Sequence, residues 1–265
     1  MAKGTRGGKR VTTGGATATV TLNSAVTQNQ NQTQQTQVDN TQVAQAMSAD
    51  YQKFMAMSED EKADYITNVT NQNVPAHLSD TSFQRFIYNS NMNDRPQLVD
   101  DSQLDAMNGT ELFRTVNNVY DRQNDISYSA DQIARQVQAG RITRTSDNGG
   151  SAYGRGIYFA DDYTESGYYG NTRGNVKKTA IMRAKLNSNA KVISYNKAVS
   201  GCRNEINSGS KLGKALRKCD SASQSSIYAL AKGYNVVSNG NGYFVILNRN
   251  AVTMSKNIKS LGSKW

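Results

Sequence analysis

Histidine and cysteine are nearly absent from this chain: one His (His77) and two Cys (Cys202 and Cys219) stand among 265 residues. Sixteen residues separate the two cysteines, with no His near them. A structural zinc site needs about four such ligands at short spacing, so no metal is expected. Both thiols read as reduced core residues, with a disulfide between them as the alternative. Long apolar runs are missing too. No window approaches the roughly 18 apolar residues of a membrane span, and no membrane partner is expected. The basic first ten residues lead into Thr, Gly and Ala instead of an apolar stretch, so no secretory signal is expected. The expectation is a soluble protein acting in the cytoplasm where it is made, or wherever another agent delivers it. Residues 1–45 lack aromatic residues altogether and carry the run Gln28-Asn29-Gln30-Asn31-Gln32. Such a segment buries too little apolar surface to offset backbone ordering, and a disordered tail is expected.

Charge is abundant but unevenly placed. The net +10 divides into +3 for residues 1–45, −8 for 46–169 and +15 for 170–265, where seventeen basic residues face only Glu205 and Asp220. The lysines of the last third are spread through helix-like and strand-like segments with few aromatics between them, which reads as a solvated basic face favouring an anionic ligand. The run Lys211, Lys214, Arg217, Lys218 reads the same way, a nucleic-acid helix being the alternative.

From about Met47 the texture becomes helical. Tyr51, Phe54 and Met55 recur at helical spacing, Ser58-Glu-Asp-Glu61 starts a capped helix through Tyr65 and Val69, and Ser79-Asp-Thr81 starts another carrying Phe83, Phe86 and Ile87. Asp94-Arg-Pro96 breaks the chain before a short helix at 102–107. Residues 46–108 are therefore read as a helical region. Residues 109–265 read as α+β, with strands expected at 111–116, 141–144, 157–160, 179–186, 191–195, 234–238, 243–248 and 251–255 and helices near 130–139, 197–207 and 221–233.

The most informative stretch is Gly154-Arg155-Gly156-Ile157-Tyr158-Phe159-Ala160, followed by an acidic turn, Ser166 and Tyr169. Read from the residues alone, it is a glycine-entered core strand with Tyr158 and Phe159 on its two faces. That reading leaves the spacing of Ser166 and Tyr169 to chance. Over about sixteen residues the order and spacing resemble, without a gap, the nicotinamide-binding segment of ADP-ribosyltransferases related to the poly(ADP-ribose) polymerases.

The resemblance implies a split β-sheet core, NAD as substrate, and transfer of a single ADP-ribose to a macromolecular acceptor, protein in preference to nucleic acid. It implies that Tyr158 opens the nicotinamide-ribose site, Ser166 bonds the carboxamide and Tyr169 stacks on the ring. Gly156 would approach the ligand, and Tyr153 and Ser151 would flank the ring. Three strands in the family supply one catalytic residue each. The first matches Leu112-Phe113-Arg114-Thr115, making Arg114, with Thr115, the candidate for NAD positioning. The second carries Tyr158. The third matches Gly242-Tyr243-Phe244-Val245-Ile246-Leu247-Asn248, so Tyr243 stands where the family has a glutamate. Without that glutamate, polymer synthesis is not expected. The other reading is a catalytically degenerate fold serving as a bacteriophage structural or interaction protein, virion-associated. The acids Asp161, Asp162 and Glu165 are read as favourable charge at a helix N-terminus.

Overall fold

The computed structural model describes residues 48–78, 80–92, 94–121, 125–142, 152–170 and 179–259, with the backbone alone at 168–170. The expectations for the 1–45 tail, Ser79, residues 143–151 including Ser151, and the Tyr169 side chain lie outside the described residues. Ala46–Trp265 forms one compact unit.

Three helices open the unit: α1 (Ala49–Ala56), α2 (Glu59–Thr70) and α3 (Ser82–Asn89). Each starts where a hydroxyl accepts a backbone N–H, at Ser48, Ser58 and Thr81, and Glu61 closes a full capping box with Ser58. Strand β1 (Gln97–Val99) and helix α4 (Asp101–Ala106) follow. The α+β portion runs β2 (Glu111–Asn117), β3 (Val119–Asp121), β4 (Ile126–Tyr128), α5 (Ala130–Gln138), β5 (Ile157–Ala160), α6 (Tyr163–Gly170), β6 (Thr179–Leu186) and β7 (Val192–Ser194). It ends with α7 (Tyr195–Ser208), α8 (Lys211–Arg217), α9 (Ser221–Ala231), β8 (Val236–Ser238), β9 (Tyr243–Ile246) and β10 (Val252–Ser255).

Eight strands form one sheet in the order β1-β10-β6-β2-β5-β9-β8-β7, while β3 and β4 pair as a separate hairpin. The ladder between β2 and β6 covers seven residues, from Glu111↔Lys185 to Asn117↔Thr179. Between β2 and β5 only Phe113↔Ala160 pair, so the sheet divides there into two halves. Alternation then sorts the side chains. Leu112, Val116, Ile157, Phe159, Met182 and Ile246 pack on one face with Ile133 and Val137 of α5. Tyr158 and Val245 turn to the other face, into a second core built from α1 to α3 and α7 to α9.

The helical region is thus no separate layer. Tyr51, Phe54, Ile66 and Phe86 share a core with Leu212, Leu216 and Ile227, and β1 adds itself in parallel to β10 through Gln97↔Thr253. The boundary at 108 marks a change in sequence texture within one structural unit. Arg141 and Ile142 are in no strand. Cys202 and Cys219 are free and buried, and burial pushes both thiols up to about 11. In α8, Leu212, Ala215 and Leu216 are buried, Lys211 pairs with Asp64 at 2.6 Å and Arg217 donates to the Ile206 carbonyl at 2.9 Å, so the run is amphipathic and partly anchored. Among the described residues no helix is long and apolar enough to cross a membrane, and no group of three or more His, Cys, Asp or Glu could hold a metal ion.

Candidate functional site

β5 is the centre of the site, with β2 and β9 as its neighbours on either side. The pairs Phe113↔Ala160, Ala160↔Tyr243 and Tyr158↔Val245 are in register. Directly paired residues project to the same side of a sheet, and side chains alternate along each strand. Phe113, Thr115, Tyr158 and Tyr243 therefore share one face. The three strands expected to carry functional residues lie side by side.

Helix α6 is laid on that face by its first turn. Asp162 Oδ1 accepts from the N–H groups of Thr164 (2.7 Å) and Glu165 (2.9 Å), which fixes the helix start. The Glu165 N–H, then that of Thr164, hold the Asp162 carboxyl below its ordinary range. The Tyr163 ring meets Phe113 edge-on at 5.7 Å, and one turn later Ser166 Oγ lies 3.0 Å from Thr115 Oγ1. Residues three apart on a helix thus meet residues two apart on a strand, which is what helix and strand periods require of a helix packed along a strand. Ser166 is buried, and its hydroxyl, with one donor and two lone pairs, keeps capacity beyond the Thr115 bond.

Two glycines let the preceding segment reach β5. At Gly154 (φ +95°) a Cβ would sit 2.6 Å from Ser226 Oγ. At Gly156 (φ +153°) it would sit 2.6 Å from Val245 Cγ1 and 2.8 Å from the Ile246 carbonyl oxygen. Gly156 was expected to approach a ligand; its backbone is pressed against β9 instead.

Tyr158 also has internal partners. Its hydroxyl donates to the Gly154 carbonyl at 2.7 Å and accepts from the Tyr153 N–H at 2.9 Å, and burial pushes its ionisation up to about 12. The hydroxyl expected at the ribose site closes the glycine loop. Tyr153, held by that bond, stacks on Tyr243 at 6.4 Å and 19° and meets Tyr195 edge-on at 5.3 Å. The ring-flanking tyrosine expected in the loop is therefore part of an aromatic group with Tyr243.

Arg114 is the clearest correction. It alternates with Leu112 and Val116 and pairs with Met182, so its Cβ faces the α5 core, away from Thr115, Tyr158 and Ser166. The residue is 7% exposed, and Nη1 donates to the Tyr158 carbonyl at 3.2 Å. It bridges the two strands where their ladder stops. A strand arginine flanked at i−2 and i+2 by Leu and Val belongs to a core face, a signal already present in the sequence.

One polar residue was not singled out as a site residue. Glu165 Oε2 accepts from the Tyr243 hydroxyl at 2.5 Å. The acid read as helix-terminal charge reaches Tyr243, the strand position at which the resemblance leads one to expect a glutamate. Along the chain 78 residues separate the pair, so only the placement of α6 brings them together. No protein-family model, no curated protein and no solved structure matches this chain.

Proposed function

We propose that the chain binds NAD and transfers its ADP-ribosyl group to a macromolecular acceptor, protein in preference to nucleic acid, with release of nicotinamide. One observation carries this reading: the Ser166–Thr115 contact at 3.0 Å joins the helix of the nicotinamide motif to the first strand, on the face that bears Tyr158 and Tyr243. Two hydroxyls at that point suit a carboxamide, which needs both a donor and an acceptor. In this reading Ser166 and Thr115 hold the carboxamide and Tyr243 borders the ribose. Arg114 supports β5 and contacts no ligand.

A second reading, a catalytically degenerate fold that serves as a bacteriophage structural or interaction protein, is supported by the internal hydrogen bonds of the Tyr158 hydroxyl, which occupy the group expected at the ribose. Two measurements on the full chain separate them. NAD should raise the melting temperature by mass action, equivalent to about 2.7 kcal/mol at a hundred times Kd, and Ser166→Ala should remove most of that rise. Nicotinamide should then appear in solution. A rise without nicotinamide supports the degenerate fold, and no response to NAD refutes the transferase reading.

A further inference from the structure

The strand that should carry a glutamate offers Tyr243, yet a carboxylate stands next to it. Glu165 is fixed at both ends: its N–H bonds to Asp162 Oδ1 at 2.9 Å, and its Oε2 accepts from Tyr243 at 2.5 Å. Ser166, the next residue, is turned by about 100° around the helix axis and meets Thr115 on β2. Consecutive residues of α6 thereby reach the two strands that flank β5. Glu165 is exposed, so a ligand on this face can reach its second oxygen. Tyr243 is held in turn by its stack on Tyr153.

Resting on the transferase reading above, we infer that Glu165 supplies from α6 the carboxylate that β9 lacks. It accepts a hydrogen bond from the 2′-hydroxyl of the nicotinamide ribose and stabilises the positive charge that grows at C1′. The C1′–N bond breaks with its electron pair passing to the nicotinamide nitrogen; the acceptor's nucleophilic atom, or water, bonds to C1′ and releases its proton to solvent. Glu165 is the catalytic residue, and Tyr243 is a positioning residue that aims it.

The test uses the full chain and its Glu165→Gln, Glu165→Asp and Tyr243→Phe variants, measuring nicotinamide release at saturating NAD and the Kd for NAD by calorimetry. Glutamine keeps an oxygen for the Tyr243 hydroxyl, so a purely structural latch would leave release unchanged. The expected result for Glu165→Gln is a loss of about 100-fold in kcat, with Kd within about threefold of the parent. Tyr243→Phe should lose about tenfold in kcat, with Kd close to that of the parent. Glu165→Asp, which keeps the charge, should retain more activity than Glu165→Gln. Release by Glu165→Gln within about twofold of the parent, or equal loss in the Gln and Asp variants, would overturn the assignment. So would a parent that binds NAD and releases no nicotinamide, which leaves the degenerate-fold reading standing. A parent that does not bind NAD at all refutes the transferase reading itself, and this assignment with it.

Discussion

Replacing Tyr158 with Phe deletes one oxygen and separates two roles for that residue. In the structure the hydroxyl makes two hydrogen bonds, to the Gly154 carbonyl (2.7 Å) and from the Tyr153 N–H (2.9 Å), and Gly154 is buried. A hydrogen bond of this kind contributes roughly 0.5–1.5 kcal/mol net, so losing two costs about 2 kcal/mol. For a unit of this size each kcal/mol lowers the melting temperature by about 2–4 °C, giving an expected fall of about 4–8 °C for Tyr158→Phe. Thermal unfolding followed by far-ultraviolet circular dichroism at pH 7 measures it. A ribose-binding hydroxyl behaves differently: its loss would weaken NAD binding and leave the unliganded melting temperature in place. A change below about 1 °C would refute the loop-closing role, since even one lost bond should exceed it.

The same hydroxyl sets an alkaline limit. Its ionisation lies at about 12 in the folded chain against an ordinary 10.0, so the fold binds the proton more tightly. The contribution is complete below pH 10 and is lost as pH rises through about 12, and Tyr158→Phe should make the alkaline decline in stability shallower; equal slopes for parent and variant would contradict this. Gly156→Ala must place a Cβ 2.6 Å from Val245 Cγ1 at φ +153°, and should destabilise the chain in urea by about 2–3 kcal/mol. An unchanged unfolding midpoint would show that β9 does not press on Gly156. Arg114→Met should lower stability by roughly 1–3 kcal/mol, because it strips a buried donor from the Tyr158 carbonyl, while NAD affinity of the folded protein stays the same. A lost affinity at unchanged stability would return Arg114 to the ligand.

The capped helices were legible because their signals are local. Ser58 and Glu61 bond within one turn, and the apolar spacing after them can face only one way. Strand β6 was legible at its observed bounds, Thr179–Leu186, as an apolar start that passes into alternation with Arg183 and Lys185. Strand β1 was not, since three residues after a proline form a strand only because β10, more than 150 residues away, offers an edge. Among the described residues β3 and β4 pair only with each other, and they carry exposed Tyr120 and Ile126, so no burial pattern announced them. At the site, the shared face of Tyr158 and Tyr243 depends on the register between β5 and β9, which no local signal in the sequence sets. The face of Arg114 is written in its neighbours Leu112 and Val116, which place it by alternation on a core face. Glu165 was hidden for another reason: it precedes Tyr243 by 78 residues, and only the packing of the helix after β5 brings the two together.

The central claim, ADP-ribosyl transfer from NAD, is tested most directly by incubating the full chain with NAD labelled on its adenine side and a cell lysate, scoring free nicotinamide against label retained on macromolecules. The expected result is nicotinamide release matched by protein-bound label that survives denaturation and is absent without the chain. Release of nicotinamide with all the label left as free ADP-ribose would make the protein a hydrolase. No release from NAD that is demonstrably bound would contradict the transferase account.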